Sequence, residues 1–357
     1  MRQQLVSEYD KVNIFLNSIG RNSKNSRRMY ATGLRYFERF LSHNYSSQNP
    51  DTIILALQNQ RINTYELLDQ FVSYLSQQKI AVPSLKLYMI AFRSYLQYND
   101  IDISPSKFKR RVKMPKCYPD PEEPLSLSDI RELLEYCSNT RLRCYLLVLV
   151  SSGLRAMEAA ALRLCDVDFT TNPTKIHVRK EYSKTRRARD VYISQEATNH
   201  LRKLLEFRKN EMQSDTLIFS IQKRSKSAET IYFKMLHQFE KLQAIANKDQ
   251  RKENSRRRKI TLHSFRRTAF SIINEQTNSE YANWFLGHNH SVYWTHKEQE
   301  RREIYRTKCM PFLTVYQETR DNTIENALRE KDITIQFTGP IRSKKDAKYT
   351  VLNVCPS

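Results

Sequence analysis

Glycine is nearly absent from this chain: five in 357 residues, at Gly20, Gly33, Gly153, Gly287 and Gly339. No two lie close enough for G-x-G-x-x-G or a P-loop, so a dinucleotide site and a Walker A site are excluded by counting. Tight primed turns also need glycine, so the shortage argues against a turn-rich all-β fold and for a mainly helical one. A hydrophobic share of 39% still permits buried cores at this length, in one to three domains. Charge is the second constraint. Lys and Arg number 60 against 38 Asp and Glu, a formal net charge of +22. Such an excess predicts a polyanionic partner, first of all nucleic acid.

The six cysteines, Cys117, Cys137, Cys144, Cys165, Cys309 and Cys355, form no C-x-x-C and have no zinc-site spacing to a His pair. They read as reduced thiols, and no metal is expected. No stretch of about 18 apolar residues occurs, and Met1–Gly20 lacks a leader core, so the expectation is an intracellular, cytoplasmic protein with no membrane partner.

The helical period appears first over 8–20 and 26–41, then over 65–79 and 84–98. In the second of these Tyr30, Leu34, Phe37 and Leu41 share one face, while Arg28, Arg35 and Arg39 form a basic stripe. Residues 1–112 thus read as a helical domain. The basic run Lys107–Lys116, which includes Lys109, Arg110 and Arg111, leads into Pro115, Pro119, Pro121 and Pro124, so residues 113–124 read as a Pro-rich linker. A second domain, 125–318, begins at a helix capped near Ser126 and contains a helix over 141–150 that is apolar on nearly every side. Alternation at Ile176 and Val178, then at Val191 and Ile193, predicts a β-hairpin with a charged tip. Helices follow over 195–210, 228–247, 264–275, 279–286 and 297–313, and residues 319–357 form a tail with a weak amphipathic helix. The run Arg256-Arg257-Arg258-Lys259 is a basic loop, either solvated charge or a DNA contact. The fold class expected is mainly α with a small β-hairpin or sheet (α+β).

Three separated segments carry the chemistry: Ser152-Gly153-Leu154-Arg155-Ala156-Met157-Glu158, His263-Ser264-Phe265-Arg266-Arg267-Thr268, and Leu286-Gly287-His288. Arg155 and Glu158, like His263 and Arg266, stand three residues apart and can share a face. In this order, with a basic hairpin between the first two, the segments resemble the tyrosine recombinase/integrase family, whose boxes usually read T-G-L-R-x-x-E, H-x-L-R-H-T and L-G-H. Ser291-Val292-Tyr293-Trp294 and Arg301-Arg302-Glu303-Ile304-Tyr305 look most like archaeal integrases.

The resemblance implies a SAM-like core-binding domain followed by a catalytic domain. It implies a site-specific recombinase acting on double-stranded DNA at specific attachment sites through a 3′-phosphotyrosine. It also implies a tetramer on DNA and no cofactor. Arginines suit the phosphodiester because their planar fork stays charged and binds oxyanions in two places, which points to Arg155 and Arg266, with Glu158 in support. His263 and His288 can donate hydrogen bonds or handle protons. The family's hairpin lysine, the acid for the leaving 5′ oxygen, falls on Lys184, with Lys180 second, and Arg186 and Arg187 stand beside it as DNA contacts. The expected position of the nucleophile lands near Lys297, which cannot serve, leaving Tyr293 as first choice and Tyr305 as the alternative. That departure keeps a second reading open, an inactive integrase-derived DNA-binding protein. A metal-dependent nuclease fits less well, since Asp166 and Asp168 lack a third carboxylate in any persuasive arrangement.

Overall fold

A computed structural model describes residues 9–116, 123–183, 186–207, 213–220, 227–252, 257–288 and 297–316. The chain divides into two compact units, Met1–Glu122 and Glu123–Ser357, and the division falls inside the proline-rich segment.

The first unit is all helix: α1 (Asp10–Asn22), α2 (Lys24–Asn44), α3 (Thr52–Gln58), α4 (Thr64–Gln77), α5 (Val82–Tyr98) and α6 (Pro105–Arg111). Its core is aromatic. Phe37 stacks on Phe92 with ring centroids 3.9 Å apart, and Phe71 meets both rings edge-on. Gly33 lets α2 approach α5 closely, since a Cβ there would stand 3.1 Å from both Tyr88 Cα and Ala91 Cβ. Because the apolar face of α2 is buried, Arg28, Arg35 and Arg39 are left exposed along the opposite side.

The first half of the basic run belongs to helix α6, inside the helical region, started by Ser104 as N-cap and Pro105 at the first position. Phe108 and Val112 seal it to the core, so Lys109, Arg110 and Arg111 stand on a folded surface. Helix α3 was not anticipated, because seven residues are too few for the 3.6 period to declare itself.

The second unit wraps helices around α8 (Thr140–Ser152), whose residues from Leu146 to Ser152 are all buried. Before it comes α7 (Leu127–Glu135), started by a capping box: Asp129 N–H donates to Ser126 Oγ at 3.1 Å and Ser126 N–H to the Asp129 carboxylate at 3.0 Å. After it come α9 (Ala156–Ala160) and a three-stranded antiparallel sheet of β1 (Val167–Asp168), β2 (Lys175–Val178) and β3 (Arg189–Tyr192), in that order. The expected hairpin is β2–β3, paired in the register Ile176 to Val191, and the short β1 pairs on its edge through Val167 and Ile176. Then follow α10 (Gln195–Glu206), α11 (Ala228–Ile245), α12 (Leu262–Gln276) and α13 (Ser279–Leu286). The single amphipathic helix expected over 297–313 is instead α14 (Glu298–Ile304), a π-helical turn Tyr305–Cys309 and α15 (Met310–Leu313). The tail helix expected beyond residue 319 lies outside the described residues.

Among the described residues no helix is long and apolar enough to cross a membrane. Cys137, Cys144, Cys165 and Cys309 are free thiols.

The aromatic core makes a direct prediction. Phe37 is wholly buried between Phe71 and Phe92. Phe37→Ala should destabilise the first unit by about 3–5 kcal/mol, read as a shift in its denaturant midpoint, whereas Arg35→Ala on the exposed stripe should change it by under about 0.5 kcal/mol.

Candidate active site

Glu158 is the hub of the site. It lies at the third position of α9 with its carboxylate fully buried, and the sequence supplies four N–H groups to hold it there. Arg155, the residue that starts α9, donates its backbone N–H to Oε2 at 2.9 Å and Nη1 to Oε1 at 2.8 Å. Arg189, the first residue of β3, donates Nη1 to Oε1 at 3.1 Å and Nη2 to Oε2 at 2.8 Å. Burial alone would raise the carboxyl's pKa, but the Arg189 and Arg155 contacts outweigh it and hold Glu158 below its ordinary value, ionised.

Arg266 is the second buried cation. Helix α12 begins after Thr261, which places His263 and Arg266 on one face one turn in. Arg266 donates Nη1 to the Gly153 carbonyl at 2.5 Å, and Nη2 to the Leu286 carbonyl at 2.6 Å and to His288 Nε2 at 3.1 Å. Both carbonyls are available because a helix ends at each: Gly153 closes α8 and Gly287 closes α13, with φ of +59° and +70°. The three boxes are therefore joined through one guanidinium. His288 accepts from Arg266 at Nε2, so its proton sits on Nδ1, which donates to Asn283 Oδ1 at 3.3 Å.

The pocket is short of negative charge. Burial and the Arg155 charge push the Arg266 guanidinium down to about 9 despite Glu158, so it is still a cation at neutral pH. Partial burial, reinforced by Arg266 and its neighbours, lowers both His263 and His288, and Arg155 acts on each of them. Two guanidiniums, Arg155 and Arg189, share the Glu158 carboxylate while Arg266 is bonded to carbonyls and His288, and Arg155 gives only one side-chain N–H to it. Such a site is built to accept an oxyanion.

The structure thus brings together Arg155, Glu158, Arg266, His263 and His288. Lys184 and Tyr293 lie outside the described residues, as does Arg256. Arg186, Arg187 and Arg257 are exposed on the second unit, and Arg28, Arg35, Arg39, Lys109, Arg110 and Arg111 on the first. Tyr305 proves to be a core residue. It is wholly buried, its ring stacks on Phe285 with centroids 5.3 Å apart, and its hydroxyl donates to the Ser151 carbonyl at 2.8 Å. Burial pushes that phenol well above its ordinary value, the opposite of what a nucleophile requires. Arg189 was missed. Nothing in a single sequence says that a strand residue reaches a carboxylate 31 positions away.

Comparison with known proteins agrees with the geometry. Residues 123–298 match the Phage integrase family. The tyrosine recombinase XerD of Rickettsia bellii is 29% identical over 201 residues, covering 53% of this chain and 60% of that protein. The tyrosine recombinase XerA of Pyrococcus horikoshii is 27% identical over 147 residues, 41% of this chain and 44% of that protein. The aligned part thus spans less than two thirds of either relative. The matched region, residues 123–298, belongs to the phage integrase (tyrosine recombinase) family. Among solved structures, a lambda integrase tetramer bound to a Holliday junction shares the fold with a TM-score of 0.55 at 15% identity, covering 81% of this chain and 79% of that one. XerH recombinase bound to difH substrate gives 0.54 at 18% identity, covering 84% and 82%.

The depressed imidazoles set a pH dependence. An unfolded chain protonates both histidines near pH 6.5, whereas the fold resists doing so. Below that pH the unfolded state binds more protons, so stability should fall as pH drops through about 6.5. Thermal melting between pH 7.5 and 5.5 should show this loss, and it should flatten in a His263→Gln/His288→Gln variant, within a range of about two pH units.

Proposed function

We propose that this protein is a site-specific DNA recombinase that cuts and rejoins strands through a covalent 3′-phosphotyrosyl intermediate. One observation carries the reading. The three sequence boxes converge on a cation-rich pocket in which Arg155 and Arg266 stand beside two imidazoles, with Glu158 engaged by Arg155 and Arg189 and, among the described residues, no carboxylate bonded to Arg266.

The scissile phosphodiester sits with its non-bridging oxygens on the Arg155 and Arg266 forks. Charge that develops on those oxygens during in-line attack meets guanidiniums already fixed in place, which lowers the barrier without reorganisation. The Tyr293 hydroxyl attacks phosphorus, and its proton passes to His263 acting as general base. The P–O5′ bond breaks, and Lys184 protonates the departing 5′ oxygen. A 5′-hydroxyl from a second strand then attacks the phosphotyrosine, releases the tyrosine and reseals the backbone. Bond energy is kept in the ester throughout, so neither ATP nor metal is consumed.

Tyr293 is five residues beyond His288, a contour of at most about 18 Å, so the chain can bring it to this pocket. The packing of Tyr305 supports the same choice. The exposed arginines of α2 and the basic end of α6 supply a sequence-independent grip on the duplex, extended by Arg186, Arg187, Arg256 and Arg257. Assembly into a tetramer on DNA is proposed from the likeness to lambda integrase, described as a tetramer on a Holliday junction. A cytoplasmic setting, an archaeal mobile element as the source and specific attachment sites as targets belong to the same proposal, as does the division into a 1–112 DNA-binding domain, linker 113–124, catalytic domain 125–318 and tail.

A nicked suicide duplex carrying the target site tests this. Wild type should accumulate a protein–DNA adduct that survives denaturant and forms equally in EDTA. Tyr293→Phe should abolish the adduct while Tyr305→Phe retains it. No adduct from wild type on its own target would mean that the protein only binds DNA. Binding itself should weaken by about 10³-fold or more between 50 and 200 mM salt, as expected when six or more phosphates are neutralised.

A further inference from the structure

Arg189 is as fully engaged at the site as Arg266, with three side-chain hydrogen bonds, yet its place in the sequence gives it no part in the three boxes. Its guanidinium is almost fully buried, with a side-chain exposure of 7%. Two N–H groups go to the two oxygens of Glu158, at 3.1 and 2.8 Å, and Nε goes to the carbonyl of Phe285 at 3.2 Å. Its own backbone pairs in the hairpin, opposite Val178. One residue therefore touches the first box, the hairpin and, at Phe285, the last turn of helix α13, three residues before the His288 that Arg266 holds.

The third box is shaped around it. Gly287 lies against the Arg189 side chain so closely that a Cβ would stand 2.9 Å from Cδ and 3.0 Å from Nε and Cζ. The Arg189 side chain cannot swing aside, since its far end is fixed on both oxygens of Glu158. Gly287 is thus required twice: for its positive φ and for the space that Arg189 fills.

We propose that Arg189 is a positioning residue: by joining β3, Glu158 and the end of α13 it sets where Arg155 and His288 stand. Glu158 can orient the Arg155 fork only while its own oxygens are fixed, and Arg189 contributes half of their four donors. The Phe285 contact fixes the last turn of α13, from which His288 reaches Arg266. The inference rests on the recombinase reading for its kinetic consequence, but its structural core does not.

Arg189→Lys is the informative variant because it keeps the charge and removes the fork. The groups whose charge acts on His288 are Arg266, Arg155, Arg189 and His263, so a variant that preserves the cation leaves that electrostatic setting intact. In the DNA-free protein, NMR titration of the imidazoles should show His288 moving up towards its ordinary value in Arg189→Lys, as its bond to Arg266 loosens. A His288 titration identical to wild type would overturn the inference, whether or not the chain cuts DNA. On a suicide duplex, the rate of adduct formation should fall by about 100-fold, the scale of a 1 Å misplacement, with duplex affinity within about threefold of wild type. A Glu158→Gln/Arg189→Lys double variant should be no slower than the slower single variant, because both act through one unit. Fully additive losses would contradict that.

Discussion

Everything at this site depends on one buried carboxylate. Glu158 brings a negative charge into a place that water does not reach, which is tolerable only because four N–H donors surround it. In return it holds two arginines that would otherwise repel each other. The cluster as a whole remains cationic, because Arg266 is bonded to carbonyls and an imidazole and brings no carboxylate of its own. A lone carboxylate thus makes possible an oxyanion pocket in which the positive charge is still in excess.

The scarcity of glycine acquires a structural meaning from this. Two of the five glycines end helices α8 and α13 in the left-handed conformation. Each termination frees a backbone carbonyl close to the site, and Arg266 takes the carbonyls of Gly153 and Leu286. Gly153 is also confined by packing, with Leu286 Cγ 3.2 Å from where its Cβ would be. The chain spends this residue where a helix must stop and an arginine must fit.

Much of this was legible in the sequence, and the parts that were not share a cause. Long helices with a clear 3.6 period, such as α2, α5 and α12, could be read directly, and so could the hairpin from alternation at Ile176, Val178, Val191 and Ile193. Convergence of the three boxes followed from the family resemblance and not from spacing. The short helices α3 and α6 escaped because seven residues show less than two full turns of pattern, and in α6 the signals Ser104 and Pro105 were masked by a conspicuous run of charge. Arg189 escaped because its partners, Glu158 and Phe285, are 31 and 96 residues away. Tyr305 could be kept only as the alternative nucleophile for the converse reason: a tyrosine on a helix near the site looks the same in sequence whether its hydroxyl is presented or, as here, bonded to Ser151 in the core.

If this pocket receives the scissile phosphate, a crystal structure of the protein on duplex DNA with orthovanadate, which adopts the five-coordinate geometry of phosphoryl transfer, should show it there. Vanadate oxygens are expected within hydrogen-bonding distance of the Arg155 and Arg266 guanidiniums, with Glu158 and Arg189 unmoved behind them. Vanadate absent from this pocket, with the duplex held only by the arginines of α2 and the basic end of α6, would contradict it.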